Sequence, residues 1–284
     1  MEIEDEERAR YWLRHVSYYR LSAYWLFYEN PKAQEGPRFV DGTTFDKVTD
    51  LYDFDRNLRR LVMRGTEHVE VSLRGSWAYH LAHSGDDGHS YLTPQMYQDR
   101  SDFHKHLAKL ASEVGWSRET YIKHYRETYD EPPMPPVWMV AEMMSFGQLS
   151  RWYSDLASRN LRNEIASHLG YSQAVLVPLV VHITDIRNIC AHHGRLWNRQ
   201  FLKPPKLAKQ PEYIKTSLNW DRTQAPAYLY NSLVMIAHIV QTVAPNSSWP
   251  HDVAALLATQ SSDRLTAMGC PDDWKSKAVW SQTI

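Results

Sequence analysis

Between Thr43 and Gly85 the chain repeats apolar residues at helical spacing, with Val48, Leu51, Tyr52, Leu58, Leu61 and Val62 in register. A strand turns alternate residues to opposite faces and cannot present this pattern as one surface. The stretch predicts a single long helix, with Thr43 and Thr44 as candidate N-caps, Gly85 as its stop and Gly65 as a point of bending.

The same period governs the rest of the chain. Shorter helices are expected over 101 to 114 and 117 to 129. The proline cluster "EPPMPP" then reads as a tight connection inside one domain. A further helix is expected from about Gln148 to His168, ended by Gly170. Ser172 is a candidate cap for the next helix, about 172 to 194, which Pro178 is expected to kink. "PAYLYNSLVMIAHIVQTVAP" reads as a core helix, and the tail after Trp249 is less regular. No segment alternates apolar and polar residues between hairpin turns, so residues 1 to 284 are expected to form one all-α domain.

Cys190 and Cys270 do not make a disulfide framework, which points to a reducing compartment. The opening "MEIEDEERAR" is acidic where a secretory leader is basic and then apolar. No run approaches the roughly 18 apolar residues of a membrane span. A cytoplasmic protein without a membrane partner is the expectation.

The net charge of −1 gives no global nucleic-acid footprint, but two local ones exist. Ile186 to Pro211 carries Arg187, Arg195, Arg199, Lys203, Lys206 and Lys209 without an acid. Arg8 to Tyr28 is also acid-free, and there Arg20 lies among Tyr18, Tyr19, Tyr24 and Trp25. Cations hold a phosphate backbone and aromatic faces stack on unpaired bases, although aromatics at helical spacing more often form core.

The first footprint opens on "RNICAHHGRLWNR", residues 187 to 199. Imidazole titrates near neutrality and guanidinium is permanently charged, a useful combination for cleaving RNA. The spacing itself is common, recurring at Arg74/His80, Arg118/His124 and Arg162/His168 among others. Context is more telling: Val175, Leu176, Leu179, Val180, Ile183 and Ile186 form a broad apolar stripe that would hold the helix end rigidly. Gly194 is expected to end that helix, leaving His193 and Arg195 near its last carbonyls. Five residues place His192 about 140° around the axis from Arg187, whereas Asn188 and His192 share a face. A homodimer pairing this helix with its symmetry mate is therefore expected. Cys190, His192 and His193 make a poor metal set, since adjacent residues project in different directions. No metal or cofactor is expected.

"RNICAHHGRLWNR" closely resembles the signature of bacterial abortive-infection proteins of the AbiD/AbiF-like group, within the HEPN superfamily of all-α ribonucleases. "VSYYRLSAYW", "LYDFDRNLRRLV", "EHVEVSLRGSWAYHL" and "PPVWMVAEMMSFGQLSRWYSDL" agree in the same order, so the likeness covers roughly Val16 to Phe201. The resemblance implies a HEPN-type helical bundle with additional N- and C-terminal helices. It also implies an anti-phage toxin that cleaves RNA without metal through the ribose 2′-hydroxyl, with DNA inert. Its motif falls on Arg187, Asn188 and His192 as catalytic residues, with His193 as a helix cap or second acid. Arg195, Arg199, Lys203, Arg20, Tyr19 and Tyr18 are the expected RNA contacts, and Trp197 is expected to fix the turn by packing. Some such systems include a companion small non-coding RNA, so RNA is expected as substrate and also as a neutralising partner. The alternative is a non-catalytic module of the same fold that holds a structured small RNA.

Overall fold

The Thr44 hydroxyl accepts the Lys47 amide and starts the long helix α3, which runs unbroken from Phe45 to Ala82. The structure is a computed structural model and describes residues 1–30, 37–85, 88–221 and 228–281. Among these the secondary structure is all-α, with isolated bridges but no strand.

α3 is the spine of the bundle. Helices α2 (Tyr18–Trp25), α6 (Val137–Met143), α7 (Phe146–Ser154), α8 (Arg159–Ser167), α9 (Gln173–Ala191), α11 (Leu229–Val243) and α12 (Trp249–Ala258) all pack on it. α1 (Glu6–His15) precedes α2, and α4 (Arg100–Trp116) and α5 (Thr120–Thr128) lie between α3 and α6. α10 (Glu212–Ser217), α13 (Ser262–Thr266) and α14 (Ala278–Ser281) complete the chain. The core helix expected after Tyr228 is α11, where every residue from Leu229 to Val240 is buried. The residues just before it, 222–227, lie outside the described ones.

α3 ends earlier than expected, one neighbouring helix is divided, and Gly65 has a packing role. Gly65 is a contact point: the Trp249 indole lies so close that a Cβ at position 65 would sit 2.5 Å from its Cε2. The same indole donates to the Leu61 carbonyl at 2.6 Å. α3 also ends three residues before Gly85. The Leu81 carbonyl there is taken up by the Ser84 amide and by the Ser84 and Ser90 hydroxyls.

The helix expected over 148 to 168 is two helices, α7 and α8. Ser145 and Gln148 form a capping box at the start of α7, and the Ser158 hydroxyl accepts the Leu161 amide to start α8. The break is held from a distant loop: the Gln98 amide donates to the Asp155 carbonyl at 2.8 Å, and the Ala157 amide to the Met96 carbonyl at 2.7 Å.

α9 continues through Pro178. Ser172 occupies its cap position, but the Asn163 side chain, at 3.0 Å, accepts the first free amide. By length and composition alone α9 is apolar enough to cross a membrane, contrary to the expectation that no run was. It lies in the bundle: Leu176, Leu179, Val180, Ile183 and Ile186 are buried, and α3, α7 and α8 pack along it. Its other side is open, with Val181, Asp185, Asn188 and His192 exposed in a row toward the C-terminal end.

Candidate active site

The C-terminal end of α9 closes in a tight hydrogen-bonded turn. The His192 amide donates to the Asn188 carbonyl at 3.0 Å, His193 to Cys190 at 3.0 Å, and Gly194 to Ile189 at 2.8 Å. The residue in the left-handed conformation is His193, at φ 56°, rather than Gly194. Glycine at 194 serves close approach instead, since a Cβ there would meet the Ile189 side chain at 3.2 Å.

This turn is fixed from three directions. The Arg20 guanidinium donates to the His193 carbonyl at 2.5 Å, tying α2 to the helix end. Arg195 points back along the same contact and donates to the Ala23 carbonyl at 2.6 Å. Arg195, which follows closely on the end of α9, thus satisfies a carbonyl of α2. From below, the buried Asp55 carboxylate accepts the Trp197 amide at 2.7 Å and the Leu196 amide at 3.2 Å.

Asp55 is fully buried, and its carboxylate also accepts from the Tyr24 hydroxyl at 2.6 Å and from the Arg59 guanidinium. Burial pushes the Asp55 carboxyl above the usual range, against the pull of Arg59, Tyr24 and the two amides. Trp197 is buried as expected, edge-on to Phe27 at 5.0 Å, with its indole N–H donating to the Arg264 carbonyl. Asp55, Tyr24 and Arg59 are functional supports that sequence reasoning missed. The available signal was an acid on the apolar stripe of α3, between Leu51 and Leu58.

Arg187 and His192 face different hollows, in keeping with their angular separation. Arg187 borders a cavity of about 420 Å³ with Glu67, Glu70 and Val71, and its Nε lies 3.9 Å from the Glu70 carboxylate. His192 lines a second cavity of about 610 Å³ with His182, Asp185 and Asn188 on α9 and with Arg199 and Lys203 beyond it. Asn188 connects the two, since Arg187 Nη1 donates to its side-chain oxygen at 3.3 Å. His192 and His193 are both exposed.

His182 was not foreseen. It is buried in the wall of the larger cavity, where Nδ1 donates to the Lys203 carbonyl at 3.1 Å and Nε2 accepts from the Ser232 hydroxyl at 2.8 Å. Burial pushes this imidazole down to about 4. It is a neutral strut and not a proton carrier near neutrality. Cys190 faces inward, its thiol pushed up to about 12 by burial, so it does not stand with His192 and His193 as a ligand. Among the described residues no group of three or more His, Cys, Asp or Glu is arranged to hold a metal.

The expected aromatic contacts divide. Tyr24 and Trp25 are core, whereas Tyr18 packs one edge on Trp25 and stays exposed, and Tyr19 is 87% exposed. Of the expected cations, Arg199 and Lys203 reach the larger cavity, Arg199 also donating to the Arg195 carbonyl at 3.3 Å, and Arg20 and Arg195 are engaged with backbone carbonyls of other elements. Arg74 is structural: it pairs with Glu70 at 2.8 Å and donates to the Ala141 and Met144 carbonyls.

Fold and site together define a class: an all-α protein whose apolar core helix ends in a braced turn that presents arginine, asparagine and histidine to solvent. The chain belongs to the Abi-like protein family, whose model matches residues 11–198, more than half of its length. This family points to abortive infection, a form of anti-phage defence. The matched region takes in α2, α3, α9 and the turn through Trp197. No curated protein and no solved structure matches the chain.

Proposed function

We propose that this protein is a metal-independent endoribonuclease of the HEPN type, of the AbiD/AbiF-like group, acting as an anti-phage toxin. The observation that carries the reading is the Arg187 guanidinium hydrogen-bonded to Asn188 beside an exposed His192, all at the end of one rigid helix. His192 takes the proton from a ribose 2′-hydroxyl. The 2′-oxygen then bonds to the adjacent phosphorus and the bond from phosphorus to the 5′-oxygen breaks. The departing 5′-oxygen receives a proton from a second imidazole, either His192 of a second copy or His193. Arg187 offsets the charge that builds on the phosphorane oxygens, and Asn188 orients it. Products are a 2′,3′-cyclic phosphate and a 5′-hydroxyl, and DNA is not cut.

A homodimer suits this chemistry. The open row of Val181, Asp185, Asn188 and His192 on α9 offers a two-fold contact that brings a second Arg187 and His192 into one cleft. Arg199, Lys203, Tyr18 and Tyr19 then receive the flanking RNA, with Arg20 bracing the turn. A companion small RNA held by the same groups would keep the cytoplasmic toxin silent.

The test is cleavage of RNA in EDTA by the wild type and by His192→Ala, with product ends identified. Undiminished cleavage by His192→Ala removes the assignment. An RNA that copurifies with a protein unable to cut would favour the non-catalytic module, and a monomeric mass would exclude the shared cleft.

A further inference from the structure

Beyond Phe201 the chain leaves the larger cavity as an extended connection to α10, with no helix or strand from 204 to 210. Its residues follow a three-residue rhythm. Pro205 and Ala208 are buried, while Lys203, Lys206 and Lys209 are exposed. A polyproline-type ribbon repeats every three residues and rises about 3.1 Å per residue, so residues three apart share an edge. The rhythm of "KPPKLAK" matches such a ribbon, in which three ammonium groups would share one edge over roughly 19 Å.

The ribbon is anchored at both ends. His182 donates to the Lys203 carbonyl at one end, and Pro211 begins α10 at the other. Lys203, Lys206 and Lys209 pair with no carboxylate among the described residues. The next acid along the chain, Glu212, is paired with Lys215 at 3.0 Å. Three exposed lysines without a paired carboxylate, with Asp185 the one acid lining the cavity at their head, repel one another, and self-repulsion is relieved by a polyanion with regularly spaced charge. Lys203 lines the cavity that holds His192, so the row begins at the proposed site and leads away from it.

We propose that Lys203, Lys206 and Lys209 form a rail for the sugar-phosphate backbone of single-stranded RNA, carrying one flank of the strand away from the scissile bond. The proposal rests on the reading of the His192 site as one that acts on RNA. A single strand fits better than a duplex, because the rail is one narrow edge and the cavity at its head admits an unpaired nucleotide. The rail reads charge, not base identity.

The experiment measures binding, so it does not depend on cleavage. A 2′-O-methylated oligouridine, which has no free 2′-hydroxyl, is titrated against the full-length wild type and a Lys203→Gln, Lys206→Gln, Lys209→Gln variant across a salt series. Each phosphate contact to a single strand adds about 0.7 to the slope of log affinity against log salt, so losing three lowers the slope by about 2. Affinity at low salt is expected to fall roughly tenfold or more, and the triple Lys→Arg variant is expected to keep the wild-type slope. An unchanged slope in the glutamine variant overturns the rail, as does an equal loss of slope on a duplex of the same composition. A lowered slope together with undiminished cleavage by His192→Ala keeps the rail and removes the catalytic reading. Thermal unfolding of the glutamine variant at the wild-type midpoint shows that the change is local.

Discussion

The Asp55 carboxylate, in the first third of α3, accepts the backbone amide of Trp197 at 2.7 Å, across 142 positions of sequence. This bond and its neighbour to Leu196 give the turn after α9 its shape from inside the core. Removing the carboxylate leaves the Arg59 guanidinium buried without its partner and two amides without an acceptor. Asp55→Ala is expected to cost about 3 to 5 kcal/mol in urea unfolding. A cost below about 1 kcal/mol would show that the buried pair does not support the turn.

Arg195 and Arg199 are four residues apart in one basic segment, yet the structure gives them different tasks. Arg195→Gln breaks the bond to the Ala23 carbonyl and is expected to lower stability by about 1 to 2 kcal/mol without changing the salt dependence of RNA binding. Arg199→Gln alters an exposed residue at the cavity whose long bond, 3.3 Å, is to the nearby Arg195 carbonyl; it is expected to leave stability within about 0.5 kcal/mol and to lower the salt slope of the proposed RNA binding by about 0.7. Thermal unfolding and RNA titration of both variants check the division, and the reverse pattern would refute it.

Two glycines of α3 make an internal comparison. At Gly75 an added Cβ meets nothing within 4 Å, so Gly75→Ala is expected to stabilise the protein by about 0.5 to 1 kcal/mol through helix propensity. At Gly65 the same methyl runs into the Trp249 indole, and Gly65→Ala is expected to destabilise by about 1 to 3 kcal/mol. Unfolding midpoints of opposite sign are the predicted result.

His182 makes stability depend on pH. Its folded value of about 4 lies below the ordinary 6.5, so between those values the unfolded chain binds the proton and the folded chain resists it. The contribution of the neutral ring is full above pH 6.5 and is lost as pH falls toward 4, a change of about 3 kcal/mol. His238, pushed down by burial, acts in the same sense. Urea unfolding across this window is expected to show the loss. His182→Asn is expected to lower stability at neutral pH and flatten the slope, and a slope unchanged by the substitution would contradict the assignment.

Much of this architecture is legible from local pattern. The α3 stripe, the cap at Thr44 and the buried run of α11 follow from periodicity and end chemistry, which depend on near neighbours. The break between α7 and α8 does not, because Gln98 and Met96 hold it from a loop some sixty residues earlier. The site divides in the same way. The separation of Arg187 and His192 is a property of helix geometry and could be worked out in advance. The engagement of Arg20 and Arg195 could not, because each guanidinium finds its carbonyl across more than 170 positions. In the sequence all the arginines of this region read as available charge, and only packing tells which of them latch a distant element.

The bracing of the turn also imposes a sequence of events on synthesis. Its supports are Arg20 on α2 and Asp55 in the first third of α3, but the groups they hold, the His193 carbonyl and the Leu196 and Trp197 amides, come more than 140 positions later. A ribosome making this chain exposes these supports long before the turn that they hold. The helix end acquires its final form only when nearly the whole family-matched region has left the exit tunnel. The turn is thus a late product of folding, completed by groups far apart in the chain and not by its own local sequence.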